Sequence, residues 1–111
     1  MPEHPSFKPF NFQEWIDRNK DQLVPPVANK QLFDYKTGMV VMIVGGPNVR
    51  VDFHDDPVEE FFYQLKGDMV IKIAENNDIY DVHIREGEVF MLPPHARHSP
   101  QRPNSGSIGL V

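Results

Sequence analysis

A chain of 111 residues with a net charge of −5 and a pI near 5.4 is the size of one domain, able to bury roughly 60–70% of its unfolded surface. It has no cysteine, which excludes disulfides and thiolate metal sites, leaves imidazole and oxygen as metal ligands and suits a reducing cytoplasm. The acidic balance argues against nucleic acid or an anionic membrane as partner, and no apolar run approaches the ~20 residues of a spanning helix.

The start, Met1-Pro2-Glu3-His4-Pro5, lacks a basic segment followed by an apolar run, so no signal peptide is expected, and His4 reads as a solvated tail residue. Residues 11–23 form the one convincing helix. Asn11 caps it, Glu14 completes a capping box, and Phe12, Trp15, Ile16 and Leu23 recur at roughly helical spacing. Its expected task is to cover one end of a sheet, and Pro25-Pro26 stops it.

From there the signals turn to strand. Residues 39–44 are a continuous apolar, β-branched run, and segments 59–65, 69–73, 79–84 and 89–92 are short and bounded by Gly, Asn, Asp or Pro. Many short strands with such punctuation predict a sandwich or a barrel. Lys66-Gly67-Asp68 and Asn76-Asn77-Asp78 read as tight turns. Alternation from Glu59 puts Glu60, Phe62 and Gln64 on one face and Glu59, Phe61, Tyr63 and Leu65 on the other. Both faces carry aromatics, so periodicity alone does not say which points inward.

Two glycine-anchored blocks carry the chemistry. The first runs from Gly46 to Gly67 and holds His54 and Glu60; the second runs from Gly87 and holds His95 and His98. His54, Glu60 and His98 together offer two imidazoles and one carboxylate, the ligand set of a mononuclear non-haem iron(II) site. Facing strands of a small barrel would hold such a triad more rigidly than loops do. His83, on an alternating strand, reads as solvated. His95, beside Pro94 in a turn, reads as exposed or as a hydrogen-bond donor near the metal pocket, with direct ligation the remaining alternative. Asp52, Asp55, Asp56 and Glu59 lack the regular oxygen-ligand loop of an EF-hand and read as a hydrated acidic cluster. Arg50 lies four residues before His54, on the same alternating face if that strand is regular, and Arg102 four after His98, and a guanidinium there suits bidentate capture of a carboxylate or stabilisation of reduced dioxygen.

The spacing of the two blocks resembles the paired motifs of the cupin superfamily, with Gly46, Glu60, Gly67, Gly87, Pro93 and His98 on pattern. Asp52 stands where cupins have a first histidine, His95 at the second motif's inner glycine and Arg102 at its final asparagine. The motif spacing makes Glu60 the inward carboxylate. More specifically, the stretches GGPNVR (45–50), DFHDDP (52–57), EEFFYQLKG (59–67) and LPPHARHSPQRP (92–103) closely resemble the 3-hydroxyanthranilate 3,4-dioxygenase family.

The resemblance implies an all-β fold, a cupin-type small β-barrel (jelly roll) with one N-terminal helix. It implies a single cupin domain over residues 1–111, with the helix at 11–23 and the barrel at 31–111. The implied activity is extradiol-type cleavage of 3-hydroxyanthranilate by O2 to 2-amino-3-carboxymuconate semialdehyde, in tryptophan and kynurenine catabolism. Its cofactor would be Fe2+ held by His54, Glu60 and His98. Arg102 would meet the substrate carboxylate, Arg50 dioxygen, and Glu60 also the substrate hydroxyl. A cytoplasmic homodimer with no nucleic-acid or membrane partner is expected. Family members continue past Val111 with a glutamate that contacts the substrate amine, and carry a rubredoxin-like iron site or a second cupin half, so a C-terminally truncated chain is expected. The alternative is a cupin module that binds a metal or small acid without turnover.

Overall fold

The computed structural model describes residues 8–25, 28–34 and 38–111, so His4 and Pro26 lie outside the described residues. The helix, α1, runs Phe12–Asn19 and tightens into a 3-10 turn at Lys20–Gln22. Asn11 has extended backbone, and its Oδ1 accepts the Glu14 N–H at 2.9 Å, which satisfies one of the free amides of the first turn. At the other end, Lys30 donates to Asn19 Oδ1 and Gln22 Oε1 at 2.7 and 2.8 Å, tying the end of the helical segment to the first strand.

Among the described residues nine strands follow: β1 (Asn29–Gln31), β2 (Met42–Gly45), β3 (Asn48–Val49), β4 (Glu60–Lys66), β5 (Met69–Glu75), β6 (Asp78–Ile84), β7 (Val89–Leu92), β8 (Arg97–Arg102) and β9 (Ile108–Leu110). They pair antiparallel into two sheets, in the orders β1-β2-β9-β4-β7 and β3-β8-β5-β6. The described strands thus make a double-sheet, jelly-roll-like sandwich, with no unbroken ring of hydrogen-bonded strands. The β5–β6 hairpin turns on Asn76 and Asn77, both at positive φ, a geometry asparagine tolerates and two-residue hairpins favour.

Alternation decides what each sheet buries. On β4, Phe62 and Gln64 are 1% and 0% exposed while Phe61 is 43% exposed, so the face bearing Glu60, Phe62 and Gln64 points inward. The core between the sheets is Phe62, Met69, Ile71, Ile73, Ile84 and Leu92. A second cluster forms on the opposite face of the first sheet, where Trp15, Ile16 and Leu23 pack on Ile43 with Leu65, Ile108 and Leu110 beside them. The helix therefore covers part of one sheet's outer face. A side chain at Gly45 would collide with Leu23 O, so glycine is what lets the segment after the helix lie against β2. Among the described residues, no helix is long and apolar enough to cross a membrane.

Candidate metal and substrate site

The site is built around His54 and His98. His54 lies outside the named strands but forms an antiparallel bridge to His98, exchanging backbone N–H···O bonds of 2.8 and 2.9 Å. His98 is on β8, opposite Ile73 of β5 in the second sheet, while Glu60 opens β4 in the first, opposite Leu92. Glu60 and His98 thus approach each other from the two layers, whereas His54, though its ring lies beside that of His98, does not bring a ligand atom within 4.8 Å of both. The His54 and His98 ring centroids are 5.9 Å apart, and His98 Nε2 is 2.7 Å from Glu60 Oε2.

These contacts have the chemistry of ligands rather than of a hydrogen-bonded network. His98 Nδ1 is 2.8 Å from the Ala96 carbonyl oxygen, which can only accept. An Nδ1–H donating to that carbonyl orients the ring so that Nε2 faces Glu60. His54 Nε2 and Glu60 Oε2 are both buried without a hydrogen-bond partner. Asp52 Oδ2 comes within 3.1 Å of His54 Nε2, but that approach lacks the alignment of a hydrogen bond. A cation between Glu60 Oε2 and a neutral His98 Nε2, 2.7 Å apart, would give both an electrostatic partner. Adjacent ligands on a metal with bonds of about 2.1 Å stand about 3 Å apart, close to the His98–Glu60 separation. The residues present therefore fit a divalent metal cofactor.

The third member of the close group is Asp56 and not the expected His54: the carboxylates of Asp56 and Glu60 and the imidazole of His98 offer ligand atoms all within 4.8 Å of one another. Sequence reasoning left Asp56 in a hydrated acidic cluster, and only its place two residues beyond His54 hinted otherwise. Two other members of that cluster also have partners. Asp52 takes a two-pronged contact from Arg50, at 3.1 Å from Nε and 2.9 Å from Nη2, and Asp55 Oδ1 lies 3.0 Å from His95 Nδ1. The hydrogen bond from Arg50 holds the Asp52 carboxyl below the usual carboxylate range, with desolvation opposing.

The two arginines occupy opposite environments. Arg50, just past β3, is exposed, and its position is set through the main chain: Gln101 accepts its N–H at 3.2 Å and donates to its carbonyl at 2.8 Å. Its expected shared face with His54 does not arise from a regular strand, because β3 ends at Val49. Arg102, closing β8, is only 4% exposed, and neither its Nε nor its Nη2 has a partner. Burial pushes its guanidinium down to about 10, with the Glu60 carboxylate pulling the other way. Gly109 gives it room, since a side chain there would collide with Gln64 Oε1 and come within 3.4 Å of Arg102 Nη2. An open cleft of about 610 Å³ adjoins Asp56 and Glu60, walled by Met39, Val40, Phe61 and Met91.

A family model described as 3-hydroxyanthranilic acid dioxygenase matches residues 5–111. The 3-hydroxyanthranilate 3,4-dioxygenase of Ruegeria pomeroyi is 65% identical over 102 residues, covering 92% of this chain and 56% of the relative. That of Shewanella woodyi is 66% identical over 102 residues, covering 92% and 53%. The Burkholderia cenocepacia protein of the same name is 54% identical over 104 residues, covering 94% and 58%. The chain thus spans about half the length of the curated relatives it matches. Among solved structures, protein NMB1881 from Neisseria meningitidis superposes with a TM-score of 0.58 at 23% identity, over 74% of this chain and 78% of that one. An oxalate oxidase bound to the substrate analogue glycolate gives 0.52 at 18% identity, over 64% and 37%. At such identities these two likenesses concern the fold alone.

Proposed function

Because this chain belongs to the 3-hydroxyanthranilic acid dioxygenase family, we propose that its site opens the aromatic ring of 3-hydroxyanthranilate with O2, giving 2-amino-3-carboxymuconate semialdehyde. The proposed metal is iron(II), held by His54, Glu60 and His98. One observation carries the reading: a buried guanidinium, that of Arg102, has two donors free and the Glu60 carboxylate as its main charged neighbour. A desolvated cation of this kind calls for a planar anion, and an aromatic carboxylate meets it with two parallel hydrogen bonds.

Each residue then has a task that its surroundings support. Arg102, locked at the end of a buried strand, anchors the substrate carboxylate and so fixes the orientation of the ring. Glu60 accepts from the substrate hydroxyl on the same inner face. Arg50, bracketed by Gln101 and resting on Asp52, offers positive charge to offset the negative charge that develops on dioxygen. Iron(II), when bound, supplies the electronic path between the electron-rich ring and O2 that neither can cross directly. The lack of cysteine supports a reducing cytoplasm as the working compartment.

The test is to load the chain with iron(II) anaerobically, add 3-hydroxyanthranilate, then admit O2 and follow the near-ultraviolet spectrum. Ring opening should create a strong new band that needs both iron and O2. Iron bound with no new band would overturn the dioxygenase reading and leave a cupin-type module that holds a metal or small acid without turnover.

A further inference from the structure

The turn between β7 and β8 carries an imidazole where the backbone suits a glycine. His95 has φ +62, a left-handed conformation that glycine adopts freely and a histidine adopts only at a conformational cost. It makes two contacts with the segment after His54. Its main-chain N–H donates to Asp56 O at 2.7 Å, and its ring Nδ1 lies 3.0 Å from Asp55 Oδ1. A glycine would keep the first contact and lose the second. The segment tied down in this way carries Asp56, whose carboxylate lies in one group with the ligand atoms of Glu60 and His98.

We propose that His95 is a positioning residue of the metal centre: by holding Asp55 it fixes the turn that presents the Asp56 carboxylate as a further oxygen ligand beside Glu60 and His98. Its ring stands outside the site and reaches the cation only through the turn it restrains. Asp56 is the element of the donor set that depends on this restraint, because Glu60 and His98 are held by the ladders of β4 and β8. The inference rests on the metal reading of the preceding section.

Titration calorimetry of the metal-free chain with cobalt(II), an oxygen-stable probe, tests it alongside thermal unfolding of the same metal-free samples. Replacing a residue that orients a ligand costs about 10- to 100-fold in metal affinity, and the exposure of the His95–Asp55 pair sets the expected loss for His95→Gly near the lower end, about tenfold. The metal-free His95→Gly protein should melt no lower than the parent, because glycine relieves the left-handed backbone. His95→Asn should restore most of the affinity, since asparagine tolerates this conformation and its Nδ2 sits at the same chain position as the imidazole Nδ1. In an Asp56→Asn background, His95→Gly should cost little further affinity. Equal affinity in the parent and His95→Gly would overturn the inference and leave the metal centre standing. So would equal losses in the Gly and Asn variants, or a lowered melting point that accounts for the loss. A parent chain that binds no cobalt would overturn the metal centre itself, and this inference with it.

Discussion

Arg102 shows most sharply how function and stability pull apart at a single residue. Burial in the folded chain pushes its guanidinium down to about 10, below the ordinary arginine range that holds in the unfolded chain. The unfolded state therefore holds the proton more tightly, and stability is lowered by the full amount below pH 10, with the penalty fading as pH rises above 10. Such a shift corresponds to about 3 kcal/mol at neutral pH. Arg102→Met should accordingly make the metal-free protein more stable by roughly 1–4 kcal/mol in urea unfolding. The same change should weaken substrate binding by about 30- to 1000-fold with metal affinity unchanged. A variant neither more stable nor weaker for substrate would remove Arg102 from the site. Arg50→Ala should instead depress kcat more than it raises KM, because the charge it answers exists only as dioxygen is reduced. The meeting of Glu60 with His98 was legible from block spacing and family likeness. Gln101 and Asp56 were not, because what gives them a role is a partner far along the chain: 51 residues separate Gln101 from Arg50.

Strands β4 to β7 were legible because alternation and turn residues mark them, and Asn76-Asn77 fixes its hairpin by backbone preference alone. β8 was not read as a strand, for a physical reason. Its buried positions include His98, Gln101 and Arg102, which lack the apolar pattern that signals a strand, and it is ordered by its ladder to β5. β1 and β3, at three and two residues, are too short to show any period. The placing of α1 on an outer face depends on packing, above all on Gly45 beneath Leu23. Gly45→Ala would drive a methyl into the Leu23 carbonyl, which is backbone and cannot swing aside. We expect a loss of about 1–3 kcal/mol in urea unfolding. Metal affinity should hold, since every proposed ligand lies on the far side of that contact in sequence and in sheet position. An Ala variant as stable as the parent would mean that the helical segment does not bear on β2 in solution.

At the scale of the whole molecule, the proposed ligands come from both layers: Glu60 belongs to the sheet of β4 and His98 to that of β8, with His54 bridged to His98 through the main chain. A cation held by Glu60 and His98 would cross-link the two sheets of the sandwich. Metal that binds only the folded chain must then stabilise the fold as a whole, by about 2.7 kcal/mol at a free concentration one hundred times its dissociation constant. For a domain of this size each kcal/mol moves the midpoint by roughly 4–8 °C, so loading with iron(II) or cobalt(II) should raise the melting temperature by roughly 10–20 °C. EDTA should reverse the shift. Glu60→Gln and His98→Ala, each removing a ligand from a different sheet, should each abolish most of it at the same metal concentration, whereas Lys72→Ala, on the second sheet with its amine paired to Asp81, should leave it intact. A shift that survives both ligand substitutions would locate the metal elsewhere, and no shift at saturating metal would mean that the cation does not join the two sheets.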